Sequence, residues 1–204
     1  GSEMCIRDSI TNDCGVIISL NCETDFVGKN ESFINLAREI SEIALGCDTI
    51  DQLINSNYDN KMSVNEKLTE QTGVIGEKIE IGSFVKIKSN FVGSYIHAGN
   101  KIATLVGLSE SFEGCGEVAK NIAMQAAAMN PIALDENGVS KEIIEKEIEI
   151  AKEQLRSEGK PENMLENIAK GKLKKFFKEN TLINQAYIKD SKISVINYLS
   201  LIHI

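Results

Sequence analysis

Two stretches of this 204-residue chain switch from a period of two to a period near 3.6, and that switch constrains the fold more than any other feature. Val16, Ile18, Leu20 and Cys22 alternate with Ile17, Ser19, Asn21 and Glu23, the pattern of a strand with one buried face. Asn30 or Ser32 can cap a helix after it, and Phe33, Leu36, Ala37, Ile40, Ile43 and Ala44 fall on one helical stripe that Gly46 can end. A second strand, loop and helix follow over 101–130, where Val118, Ala119, Ile122, Ala123, Ala126 and Met129 make the stripe and Asn130-Pro131 ends it. The repetition predicts two related α+β lobes.

Between them, 55–63 is polar and reads as a loop, and a short helix is expected over 64–72. Ile79, Ile81, Phe84, Val85 and Ile87 predict one or two strands interrupted by Gly82. Strands near 92–97 and 101–108 form a hairpin around Ala98, Gly99 and Asn100. Residues 140–178 have another character. Ser140 can cap a helix whose Ile144, Ile148, Ala151 and Leu155 make a heptad-like seam. Gly159 and Pro161 separate it from a second helix carrying Leu165, Ile168, Ala169, Leu173 and Phe176. So short a connection predicts an antiparallel helical hairpin.

Composition narrows the function. A net charge of −8 argues against broad nucleic-acid binding, and the few aromatics and absent Trp argue against base stacking. No apolar run approaches the ~20 residues of a membrane helix. Five scattered cysteines without a C-x-x-C pair read as reduced thiols of a cytosolic protein. With His97 and His203 the only histidines, neither a zinc site nor a Ser-His-Asp arrangement is expected, and Cys22 and Cys47 have no nearby histidine to activate them. Five lysines between 170 and 178 read first as a solvated helix end and second as a patch for an acidic protein or RNA. GSEMCIRDS has no periodicity and LSLIHI no polar face, so both ends are expected to be foreign to the natural chain.

Taken in order, TDFVGKN after a strand, IGEKIEI, GSYIH, IAMQAAAMNP and SEGKPENMLENIAKGKLKKF resemble bacterial elongation factor Ts over roughly residues 13–198. The resemblance implies an α+β fold: two related lobes, each a small antiparallel sheet packed with helices, and an inserted helical hairpin. The expected divisions are 13–90 for the first lobe, 91–137 with 179–199 for the second, and 138–178 for the hairpin. Residues 1–12 and 200–204 are expected to be a disordered or foreign end and a foreign tail. The family's N-terminal helical domain and last C-terminal strand are expected to be missing.

The resemblance further implies a protein without catalytic chemistry, cofactor or metal. It would bind elongation factor Tu, a GTPase, in the bacterial cytoplasm and promote GDP release. Direct nucleic-acid or membrane binding is not expected, and a homodimer is left open. Asp25 and Phe26 match the pair that enters the GTPase beside the nucleotide's magnesium site. Ile75 and Gly76 match a second contact near it, and His97 a third. Ile188, with Lys189, matches a late segment that touches another domain of the partner. Gly28 stands where the family commonly has alanine, and Gly82-Ser83 where it commonly has an arginine pair. The alternative is a truncated or diverged core that binds the GTPase without efficient exchange.

Overall fold

The computed structural model describes residues 3–202. Three strands, β1 (Glu3–Ile10), β2 (Cys14–Cys22) and β3 (Glu80–Lys88), form an antiparallel sheet with β2 in the centre. Between β2 and β3 lie four helices: α1 (Asp25–Gly28), α2 (Glu31–Ala44), α3 (Ile50–Asn55) and α4 (Val64–Ile75). An antiparallel hairpin of β4 (Phe91–Ile96) and β5 (Ala103–Leu108) follows, then α5 (Cys115–Met129). The rest of the chain forms α6 (Lys141–Ser157), α7 (Glu162–Asn180), a two-stranded sheet of β6 (Ala186–Tyr187) and β7 (Asp190–Ser194), and α8 (Val195–Ile202). Helices and small antiparallel sheets make this an α+β fold.

Two compact units result, one running to Ala127 and the other starting at Ala128. The β4–β5 hairpin therefore groups with the first sheet rather than with residues 179–199. The physical reason is visible at β2. Its even positions, Val16, Ile18, Leu20 and Cys22, pack with Phe33, Leu36, Ala37 and Ile40 of α2 in the main core. Its odd face is covered too: a Cβ at Gly15 would meet Val92 Cγ1 at 2.7 Å and Leu105 Cδ2 at 2.9 Å. The expectation of one buried face is thus corrected. Ile17 and Ser19 are buried as well, and Ser19 Oγ accepts a 2.9 Å hydrogen bond from Ser83 Oγ.

The absence of periodicity near the start misses β1. A strand forms there because β2 offers a complete row of backbone donors and acceptors, which pair regardless of side-chain pattern. Cys5 adds one fully buried side chain. Gly82 does not split the following strand. It is the extra residue of a bulge where the β2–β3 register shifts between Ser19 and Leu20, with the Asn21 side chain where its Cβ would stand.

The helices start where their caps predict. Asn30 Oδ1 accepts from Ser32 N at 2.9 Å before α2, and Ser63 and Glu66 form a reciprocal capping box before α4. α6 and α7 pack as an antiparallel hairpin, with Ala151 and Leu155 buried on one helix and Leu165 and Ala169 on the other. Gly159 takes the left-handed conformation between them (φ 74°), and Pro161 is the N-cap residue of α7. The expected foreign tail is helical through Ile202; His203 and Ile204 lie outside the described residues.

Candidate functional site

Where a loop is expected after β2, the chain makes one helical turn. Thr24 is the N-cap of α1, its Oγ1 accepting from Val27 N, and Asp25 sits in the first turn, where the positive end of the helix suits a carboxylate. This turn separates two neighbouring apolar residues. Val27 packs against the main core, whereas Phe26 is 84% exposed, more than any other large apolar side chain among the described residues. An aromatic ring held outward on a capped turn gains nothing from its own protein's core.

Asp25 is not a free carboxylate. Lys29 Nζ donates to its Oδ2 at 2.7 Å, and that hydrogen bond, with the lysine's charge, holds the carboxyl below the usual aspartate range. The same bond pushes the Lys29 amine up.

Ile75 and Gly76 come to the same place through the end of α4. Gly76 is the left-handed C-cap (φ 81°), its N–H donating to Thr72 O at 2.9 Å. Ile75 is half-buried against the core, so it seats the turn more than it presents a surface. Beyond Gly76, Glu77 reaches across 53 positions of sequence. Its Oε1 accepts from Thr24 Oγ1 at 2.5 Å, and its Oε2 accepts from Thr24 N at 3.0 Å and Glu23 N at 2.9 Å. Glu23 answers by accepting from Lys78 N at 3.1 Å. Two predicted contact pairs, Asp25-Phe26 and Ile75-Gly76, are thereby tied together. The bond from Thr24 also holds the Glu77 carboxyl below its ordinary range.

Two members of this surface escape a reading of the sequence alone. Val74, 73% exposed on the last turn of α4, adds a second outward apolar side chain beside Gly76. It falls past the predicted end of its helix at 72, and an exposed valine carries no periodic signal. Glu77 reads as one more surface carboxylate, because a contact 53 residues away leaves no local pattern.

His97 lies in the turn between β4 and β5, not in the strand as expected. It is exposed; its N–H donates to Ile102 O at 2.8 Å, and its Nδ1 is 3.1 Å from the Tyr95 hydroxyl. Gly99 (φ 92°) and Asn100 (φ 58°) carry the left-handed residues of the turn, and Asn100 O and Oδ1 accept from Ile6 N and Arg7 Nη1 of β1. This turn and α1 are neighbours. Asp25, Gly28 and Lys29 line one side of a groove of about 330 Å³, and Ala98–Lys101 line the other. The turn that carries Asp25 and Phe26 thus adjoins the turn after His97 on one side and is tied through Glu77 to the turn after Ile75-Gly76.

Ile188 and Lys189 belong to the second unit, in the turn between β6 and β7, and both are exposed. Tyr187 before them is buried and stacks on Tyr198 with ring centroids 4.2 Å apart. Three of the five lysines between 170 and 178 have side-chain partners: Lys170 pairs with Glu166, Lys175 with Glu179, and Lys172 donates to Gln154 of α6. Among the described residues no group of His, Cys, Asp and Glu is placed to hold a metal ion, and no helix is long and apolar enough to cross a membrane.

Comparison with known proteins places the chain among relatives. The family model described as elongation factor TS matches residues 23–202. An elongation factor Ts from Christiangramia forsetii is 63% identical over 188 residues, 92% of this chain and 68% of the relative. One from Flavobacterium psychrophilum is 60% identical over the same shares, and one from Amoebophilus asiaticus 47% over 92% and 69%.

Proposed function

The chain belongs to the elongation factor Ts family, and from that premise we propose that it is a guanine-nucleotide exchange factor for elongation factor Tu. The observation that carries this reading is Phe26, an almost fully exposed ring on a capped helical turn that its neighbours hold in place. The protein acts by binding and breaks no covalent bond. It works in the bacterial cytoplasm.

An exchange factor must hold the nucleotide-free GTPase more tightly than the GDP-bound form. By linkage, GDP then weakens the factor's hold to the same degree. A GTPase keeps Mg²⁺ and phosphates in place with a phosphate-binding loop and switch segments. A ring that enters between partner helices only when that site has relaxed supplies the required difference, and buried aromatic anchors are worth ~2 kcal/mol or more at interfaces. Asp25 travels with the ring and brings its own counter-ion, Lys29, so it can leave the lysine for partner groups as the surface docks. Ile75-Gly76, Val74 and the His97 turn flank this entry point, and Ile188 with Lys189 supplies a separate contact.

The test is release of labelled GDP from purified elongation factor Tu with and without this protein. Acceleration in proportion to added protein is expected. Binding with unchanged release would leave an interaction module, and no binding at all would reject both.

A further inference from the structure

We propose that Glu77 is the positioning residue of this surface, the group that makes the Phe26 turn and the Gly76 turn one preformed element. The inference rests on the exchange reading above and goes beyond it by assigning a role to a residue that need not touch the partner.

The β2–β3 ladder ends at Asn21 opposite Glu80. Past that point nothing in a sheet holds two strand ends together, and they are free to splay. Here the pairing continues by other means. Glu77 takes both backbone N–H groups of Glu23 and Thr24 and the Thr24 hydroxyl, while the Glu23 carboxylate takes the Lys78 N–H. Each loop contributes a carboxylate to the other's backbone. The clamp is anchored on both sides: Cys22 and Ile79 are buried in the core, and Ile79 N donates to Thr72 Oγ1 at 3.2 Å. The left-handed Gly76 turns the chain so that Glu77 faces Thr24. Phe26 stands two residues beyond one end of the clamp and Val74 three residues before the other. A preformed surface does not lose loop freedom when it binds, so the clamp lowers the concentration at which the surface works without touching the chemistry of release.

The experiment uses the full chain with Glu77→Gln, Thr24→Val and the two combined. Glu77→Gln exchanges charged acceptors for an amide that can accept at one atom only. Three readouts are taken: amide hydrogen exchange at Glu23 and Thr24, the thermal midpoint, and the protein concentration giving half-maximal GDP release. The expected result for Glu77→Gln is faster amide exchange at both positions and a midpoint lowered only slightly, as for the loss of a solvent-exposed contact. The half-saturating concentration rises by about five- to tenfold while the maximal rate is kept. Thr24→Val also removes the cap on Val27 N, so the double variant should lose more than Glu77→Gln alone but less than the sum of the two single losses, because the two side chains share one contact. Unchanged amide protection, or loosened amides with half-saturation at the parent value, would overturn the proposal. So would a lowered midpoint that accounts for the whole loss. If the parent itself leaves GDP release unchanged, the exchange reading fails, and Glu77 is still judged by the amide protection.

Discussion

Lys29 Nζ sits 2.7 Å from Asp25 Oδ2, one helical turn away, so the carboxylate on the candidate contact surface is already ion-paired in the free protein. Its folded-state pKa is depressed, first by the hydrogen bond from Lys29. Stability from such a group is present above its unfolded value and is lost as pH falls through the folded one. The Lys29 amine is shifted the other way, so its share is lost only as pH rises through a value above the ordinary lysine range. The pair is therefore intact across the neutral range. Replacing Lys29 with Met should raise the Asp25 titration midpoint, followed by the side-chain carboxyl signal in NMR. A midpoint that does not move would assign the shift to another group.

Two phenylalanines seven residues apart give opposite predictions. Phe33 is 1% exposed in the main core, so Phe33→Ala should cost about 3–5 kcal/mol of stability. Phe26, in contrast, removes almost no area from water in the free protein. Phe26→Ala should leave the urea midpoint within about 0.5 kcal/mol of the parent and reduce stimulated GDP release by about thirtyfold or more. Loss of stability without loss of exchange in Phe26→Ala would reverse the assignment.

Gly93 of β4 faces α5 with no room for a side chain: a Cβ there would lie 2.4 Å from Ala119 Cβ and 3.1 Å from the Ala119 backbone carbon. The helix backbone cannot yield as a long side chain would. Gly93→Ala should destabilise by about 1–3 kcal/mol, read as a lower urea midpoint at unchanged slope. A midpoint equal to the parent's would mean that β4 and α5 part at little cost.

These contrasts follow what the sequence makes readable. β2, α2 and the α6–α7 seam are periodic over many residues, so their elements and buried faces stand out in Val16–Cys22, Phe33–Ala44 and Ile144–Leu155. β1 pairs through its backbone, and a four-residue α1 is too short to show a period. The six residues of α3 are likewise too few to show a period, although Thr49 caps it through Gln52 N. Asp25, Phe26 and Gly76 stand out in the sequence only through the resemblance to a family. The Glu77 clamp is not, because hydrogen bonds across 53 positions have no local signature. The burial of β2 on both sides depends likewise on Val92 and Leu105, which arrive from a distant hairpin.

Gly28 closes α1 with a backbone that does not need glycine. Its φ is not positive, and a Cβ would meet Cys22 Sγ at 3.5 Å and the Met4 carbonyl oxygen at 3.9 Å, ordinary contact distances. Alanine fits the folded turn, while glycine leaves the unfolded chain more freedom to lose. Gly28→Ala should therefore stabilise the protein by about 0.4–1 kcal/mol in urea unfolding. Because the change stiffens the turn that carries Phe26 without altering the ring's exposure, half-maximal GDP release should require the same protein concentration or less. A rise in that concentration would show that α1 must yield as the ring enters its partner, and that the glycine serves docking rather than merely tolerating it.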